Sequence, residues 1–124
     1  MSRGPVPSQL CLLSSLPGRA ERDKVRFLAC VTSYSMASAS LMLGHLYPKG
    51  TNVDVSVNLE LVLDKLPPGL TCVGEWVNVI GYVLSKPRSS RDRNEPSARV
   101  QALVIWPTGP MDIQRYERSF DAAP

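Results

Sequence analysis

Along most of the chain, apolar and polar positions alternate with the period of a β-strand. Lys24-Val-Arg-Phe-Leu-Ala-Cys-Val-Thr-Ser-Tyr34 is rich in β-branched and aromatic residues, with Val25, Phe27, Ala29 and Val31 on one parity. The small polar run from Ser35 to Ser40 predicts a tight connection, and Ser40-Leu-Met-Leu-Gly-His-Leu-Tyr47 predicts a second strand ended by Pro48-Lys49-Gly50. Val53-Asp-Val-Ser-Val57 alternates as a short third strand. The period then changes. Asn58 can cap a helix whose Leu59, Val62, Leu63 and Leu66 form one apolar stripe, and Pro67-Pro68-Gly69 stops it. From Gly74 to Leu84 alternation returns, with Val77, Val79, Gly81 and Val83 on one side. Ala98 to Trp106 is the last strand, with Val100, Ala102, Val104 and Trp106 on one parity. Pro107-Thr-Gly-Pro110 breaks it, and Met111 to Phe120 predicts a C-terminal helix with Ile113, Tyr116 and Phe120 at helical spacing.

Three strands, a helix, two strands and a terminal helix is the order of an OB-fold, a mainly β, five-stranded Greek-key barrel with a helix between strands three and four. An SH3-like barrel or another small β-domain is the alternative, and the placement of the helix favours the OB-fold. Closure explains why both parities of the first and fourth strands are apolar: one face fills the barrel and the other meets a helix or a partner. Gly81 suits the sharp coiling of a small barrel, where a side chain would crowd the bend. Residues 1–23 read as a partly irregular arm, in which Leu10, Leu12, Leu13 and Leu16 can pack as a short strand or helical turn. The domain proper spans 24–120, and 121–124 form a tail.

With 124 residues, 44% hydrophobic and 20% charged, the chain has material for one core. Its longest apolar stretches fall well short of the roughly 20 residues of a membrane span, so no membrane association is expected. The start, with Arg3 before Leu10-Cys-Leu-Leu13, is loosely like a secretory leader, but it is short, broken by serines and preceded by prolines, so no cleavage is expected. Cys11, Cys30 and Cys72 are odd in number and form no C-x-x-C, which suggests neither a disulfide framework nor a zinc site. No cofactor or metal is expected. Nor is an enzyme: the usual nucleophile, phosphate-loop and metalloprotease motifs are missing. His45 reads as a strand histidine with a structural hydrogen bond or solvent contact, and Asp112 and Glu117 as helix-surface charge or dipole stabilisation.

Two binding chemistries remain. A net charge of +3 is too mild for a strong polyanion binder but compatible with a weak or assisted one. The predicted loop between strands four and five carries Lys86, Arg88, Arg91 and Arg93, Tyr34 ends the first strand, and Arg26 and Arg99 lie opposite the barrel filling. These residues are the nucleic-acid candidates, though aromatics are only 6% of the chain and stacking platforms are what single strands need. Protein binding has the better-defined feature, the terminal stripe of Met111, Ile113, Tyr116 and Phe120. A barrel already plugged by one helix has little spare core for it, so the ridge is expected to meet a second polypeptide rather than fold back.

Three stretches carry a resemblance: Lys24 to Tyr34, Val73-Gly-Glu-Trp-Val-Asn-Val-Ile-Gly-Tyr-Val83, and Val100-Gln-Ala-Leu-Val-Ile-Trp-Pro-Thr-Gly-Pro-Met-Asp-Ile-Gln-Arg-Tyr-Glu-Arg-Ser-Phe120. Together they resemble the smallest, Ten-family subunit of the fungal CST telomere-capping complex. The last stretch, from strand into helix, is the specific one, whereas Ala29 departs from the glycine common in OB-fold first strands. The resemblance implies a nuclear, telomeric, non-catalytic subunit that pairs with an Stn-family OB-fold protein and joins the large CST subunit. It also implies assisted binding of single-stranded telomeric DNA and support of fill-in by DNA polymerase alpha–primase. The terminal helix would then place Ile113, Tyr116 and Phe120 at the partner interface. An independent single-strand-binding protein and a protein adaptor without DNA contact are the competing classes.

Overall fold

The computed structural model describes residues 8–47, 53–84, 97–110 and 112–121. Its strands are β1 (Gln9–Leu10), β2 (Lys24–Ser35), β3 (Ser40–Gly44), β4 (Asp54–Asn58), β5 (Trp76–Val83) and β6 (Ala98–Pro107), followed by the helix α1 (Ile113–Asp121). The long β2 pairs antiparallel with β5 through its first half and with β3 through its second. β3 pairs antiparallel with β4, β4 runs parallel to β6, and β6 returns antiparallel to β5, which closes a five-stranded barrel. This is the OB-fold order that the sequence predicts.

The predicted inward parities of β2 and β5 fill the barrel: Val25, Phe27, Ala29, Val77 and Val79 are fully buried, opposite Leu41, Leu43, Val55 and Val57. Gly81 sits at a bulge where β5 meets β6. A Cβ there would run into the Gln101 carbonyl oxygen and lie 2.8 Å from Val100 Cγ1, so close approach of the two backbones requires glycine. The arm is more integral than expected. β1 adds a parallel pairing at Val25 and Arg26, and a 3-10 turn (Leu13–Gly18) buries Leu13 and Leu16 in the core.

Two features depart from simple periodicity. The segment after β4 is a 3-10 turn (Glu60–Lys65) rather than an α-helix, with Asn58 Oδ1 accepting the Glu60 N–H at 2.9 Å. At three residues per turn Leu59 and Val62 share a face and are buried, while Leu63, one residue later, swings out to 43% exposure. Bulges also reset strand parity. In β6, Val104 pairs with Ile80 but Ala102 pairs with Gly81, leaving Leu103 as the extra residue. Beyond it Ile105 points inward, and Val104 and Trp106, expected to share the inward parity of Val100 and Ala102, lie on the outer face.

Candidate partner and nucleic-acid interfaces

The terminal helix begins as its sequence dictates. Asp112 Oδ1 accepts the Arg115 N–H at 3.0 Å and the Asp112 carbonyl accepts the Tyr116 N–H at 3.1 Å, satisfying donors of the first turn. The half-buried residues Ile113, Tyr116, Glu117 and Phe120 form one face, while Gln114, Arg115, Arg118 and Ser119 are exposed. That first face lies on the chain's own barrel. The Tyr116 hydroxyl accepts the Leu28 N–H at 3.3 Å and donates to the Cys11 carbonyl at 3.4 Å, bridging β2 and the arm. Burial, only partly offset by the Leu28 hydrogen bond, pushes its pKa up to about 12.

A second anchor lies one residue on. Glu117 Oε2 is 2.7 Å from His45 Nε2, and His45 is only 3% exposed. The imidazole is held edge-on to Trp76 at 5.3 Å between ring centroids, with Tyr47 stacked at 6.1 Å and Tyr116 at 6.2 Å. Its Nδ1 has no hydrogen-bond partner among the described residues. Phe120 completes the cluster edge-to-face with Tyr116 at 5.2 Å. The expectation that the apolar ridge faces away from its own β-framework is therefore corrected: the outer side of β2 offers apolar Leu28 and a free backbone N–H, and α1 covers both. Glu117 is likewise a barrel contact rather than surface charge. Beside α1 remains a cleft of about 390 Å³ lined by Cys30, Leu46, Val53, Trp76 and Glu117, with Leu46 80% exposed at its rim. Burial raises the thiol pKa values of Cys30 and Cys11, which disfavours a nucleophilic role for either.

The nucleic-acid candidates are not brought together. Lys86, Arg88, Arg91 and Arg93, and the partner candidate Met111, lie outside the described residues. Between Val31 and Ser33 the β2–β3 register shifts, so Tyr34 pairs with inward Leu41 and packs half-buried against the core instead of facing a groove. Arg99 lies beside Ser40, Ser56 and Asn58 on the β3–β4 side. Arg26 stands on the opposite flank, its guanidinium carbon 5.4 Å from the centroid of the Trp106 ring. The sequence reading missed the His45–Glu117 pair and the outward turn of Trp106. The first joins residues 72 apart, and the second depends on a bulge that periodicity cannot show.

A closed five-stranded OB barrel with a terminal helix seated on its flank defines the class of fold to which the chain belongs. The chain belongs to the Ten1 family of non-catalytic telomere-capping subunits of the CST complex, whose model matches residues 1–121. No curated protein sequence matches it. In structure it is similar to a chain of the S. pombe Stn1–Ten1 complex, at a TM-score of 0.69 and 21% identity over 95% of this chain and 92% of that one. S. pombe Ten1 alone superposes at 0.67 with 21% identity, covering 93% and 95%. A chain of U. maydis replication protein A bound to single-stranded DNA superposes at 0.58 with 18% identity, covering 93% and 87%. At these identities the likeness is one of fold.

Proposed function

We propose that this chain acts as the small subunit of a telomere cap, pairing with an Stn-family OB-fold protein and, through it, with the large CST subunit. The observation that carries the reading is the terminal helix: its apolar stripe is only half covered by the barrel and borders an apolar cleft at Leu46 and Trp76. Ile113 and Phe120 are the residues of that stripe a partner would reach. Tyr116 acts differently from a simple anchor, because its hydroxyl is engaged on the chain's own backbone. Its part is to seat the helix that the partner meets. The S. pombe assembly that contains both Stn1 and Ten1 supports this pairing.

In this reading the protein is nuclear and telomeric. It contacts single-stranded telomeric DNA weakly or with assistance, helps protect the overhang and supports fill-in by DNA polymerase alpha–primase. Family membership supports these roles, and the mild net charge of +3 fits a scaffold better than a lone DNA clamp. Co-expression with an Stn-family subunit tests the pairing. Phe120→Asp is expected to weaken association by about 2 kcal/mol or more, as for a buried interface anchor, while the chain alone stays folded. Undiminished complex yield and affinity would remove α1 from the interface.

A further inference from the structure

Beyond Leu28, which the terminal helix covers, the outer face of β1, β2, β5 and β6 has a distinctive composition. Registers align Leu10, Arg26, Ile80 and Val104 in one row across the four strands. Leu10 is 54% exposed and Val104 48%. Trp106, brought outward by the β6 bulge, flanks the row on one side with Arg26 over its ring, and exposed Tyr82 flanks it on the other next to Lys24. β2, β5 and β6 contain not one Asp or Glu. Glu21 and Arg22 border Tyr82 as a pair of opposite charges. By contrast, the β3–β4 face that OB-folds ordinarily offer to single strands presents Ser40, Met42, Ser56 and Asn58, with Arg99 of β6 beside them and the acidic Asp54 at one end, and neither strand carries an aromatic residue.

Single-strand recognition needs π-faces for bases and cations for phosphates, with no carboxylates in the path. We infer that single-stranded nucleic acid meets this subunit on the outer β2–β5–β6 face, stacking on Trp106 and Tyr82 with Arg26 on its phosphates, rather than in the β3–β4 groove. The inference rests on the DNA contact proposed above and assigns it a surface.

The test is a fluorescence titration of the full chain, assembled with its Stn-family partner, against a labelled oligothymidylate over a range of salt. Wild-type assembly is expected to bind more tightly than the Stn-family subunit alone. Trp106→Ala should weaken binding about tenfold, and Trp106→Phe, which keeps a ring, should restore most of it. Arg26→Gln, a change at an exposed side chain, should lower the slope of log affinity against log salt by about 0.7, the value for one phosphate contact on a single strand. If the wild-type assembly binds but both Trp106→Ala and Arg26→Gln match it, the face is wrong while the DNA reading stands. If the chain adds nothing to the partner's affinity, the DNA reading fails and this surface with it. If Trp106→Ala instead releases the partner from a still folded chain, the face is a protein interface and the inference is overturned.

Discussion

Replacing Tyr116 with phenylalanine keeps the ring and removes only the hydroxyl that joins α1 to β2 and the arm. Two hydrogen bonds disappear, from Leu28 N–H at 3.3 Å and to the Cys11 carbonyl at 3.4 Å, both at the long end of the useful range. The Leu28 amide loses this partner in a covered position, so the expected loss is about 1–2 kcal/mol at neutral pH. For a domain of this size that lowers Tm by roughly 3–8 °C. The pH dependence gives an independent check. A tyrosine raised in the folded state to about 12, from an ordinary 10, stabilises the fold fully below pH 10 and loses that contribution as pH rises through 12. The loss is on the order of 2 kcal/mol, and it is one the phenylalanine variant cannot show. Urea unfolding of both proteins between neutral pH and the alkaline limit measures it. The buried thiols Cys11 and Cys30 also destabilise the fold as they ionise, but they do so in both proteins and largely cancel in the difference. The gap between the two stabilities should be constant below pH 10 and close above it. A variant as stable as wild type at neutral pH, or a gap unchanged across the alkaline range, would refute the seating of α1 described here.

Gly81→Ala places a methyl group against the Gln101 backbone and should cost about 3 kcal/mol or more, read as loss of soluble protein or a collapsed thermal transition. Glu117→Gln weakens the 2.7 Å contact with buried His45 and should cost about 1–3 kcal/mol, with faster amide exchange confined mainly to α1. The 3-10 geometry of residues 60–65 predicts opposite outcomes for neighbours: Val62→Ala should destabilise by about 2 kcal/mol, while Leu63→Ser stays within about 0.5 kcal/mol in denaturant melts. Equal losses at the two positions would indicate an α-helical stripe instead.

Much of the barrel was legible because β-strand burial follows period two. Val25, Phe27, Ala29 and Val31 could be read straight onto the inner wall, and a helix-type segment between the third and fourth barrel strands distinguished the topology. Parity carries no record of an inserted residue, so period two alone puts Trp106 on the same side of β6 as Val100 and Ala102, whereas the bulge turns it outward. A stripe at three- and four-residue spacing suits an α-helix and, over six residues, a 3-10 turn almost equally. Packing decided between them, by burying Val62 and not Leu63. For the terminal helix, amphipathicity announced that one face would be covered but not by what. The covering surface is Leu28, Cys11 and His45, which lie some 70 to 105 residues away in the chain and can be matched to Tyr116 and Glu117 only in three dimensions.

Hydrogen exchange of α1, followed in the full chain alone and after addition of an Stn-family OB-fold subunit, tests the central claim most directly. Alone, the α1 amides from Tyr116 onward should be protected above the level of a frayed terminal helix, because Tyr116 and Glu117 hold it to the barrel. On assembly their protection should rise further, together with that of the segment around Leu46. A stable complex that leaves exchange at α1 unchanged, or no complex at all, would contradict the account.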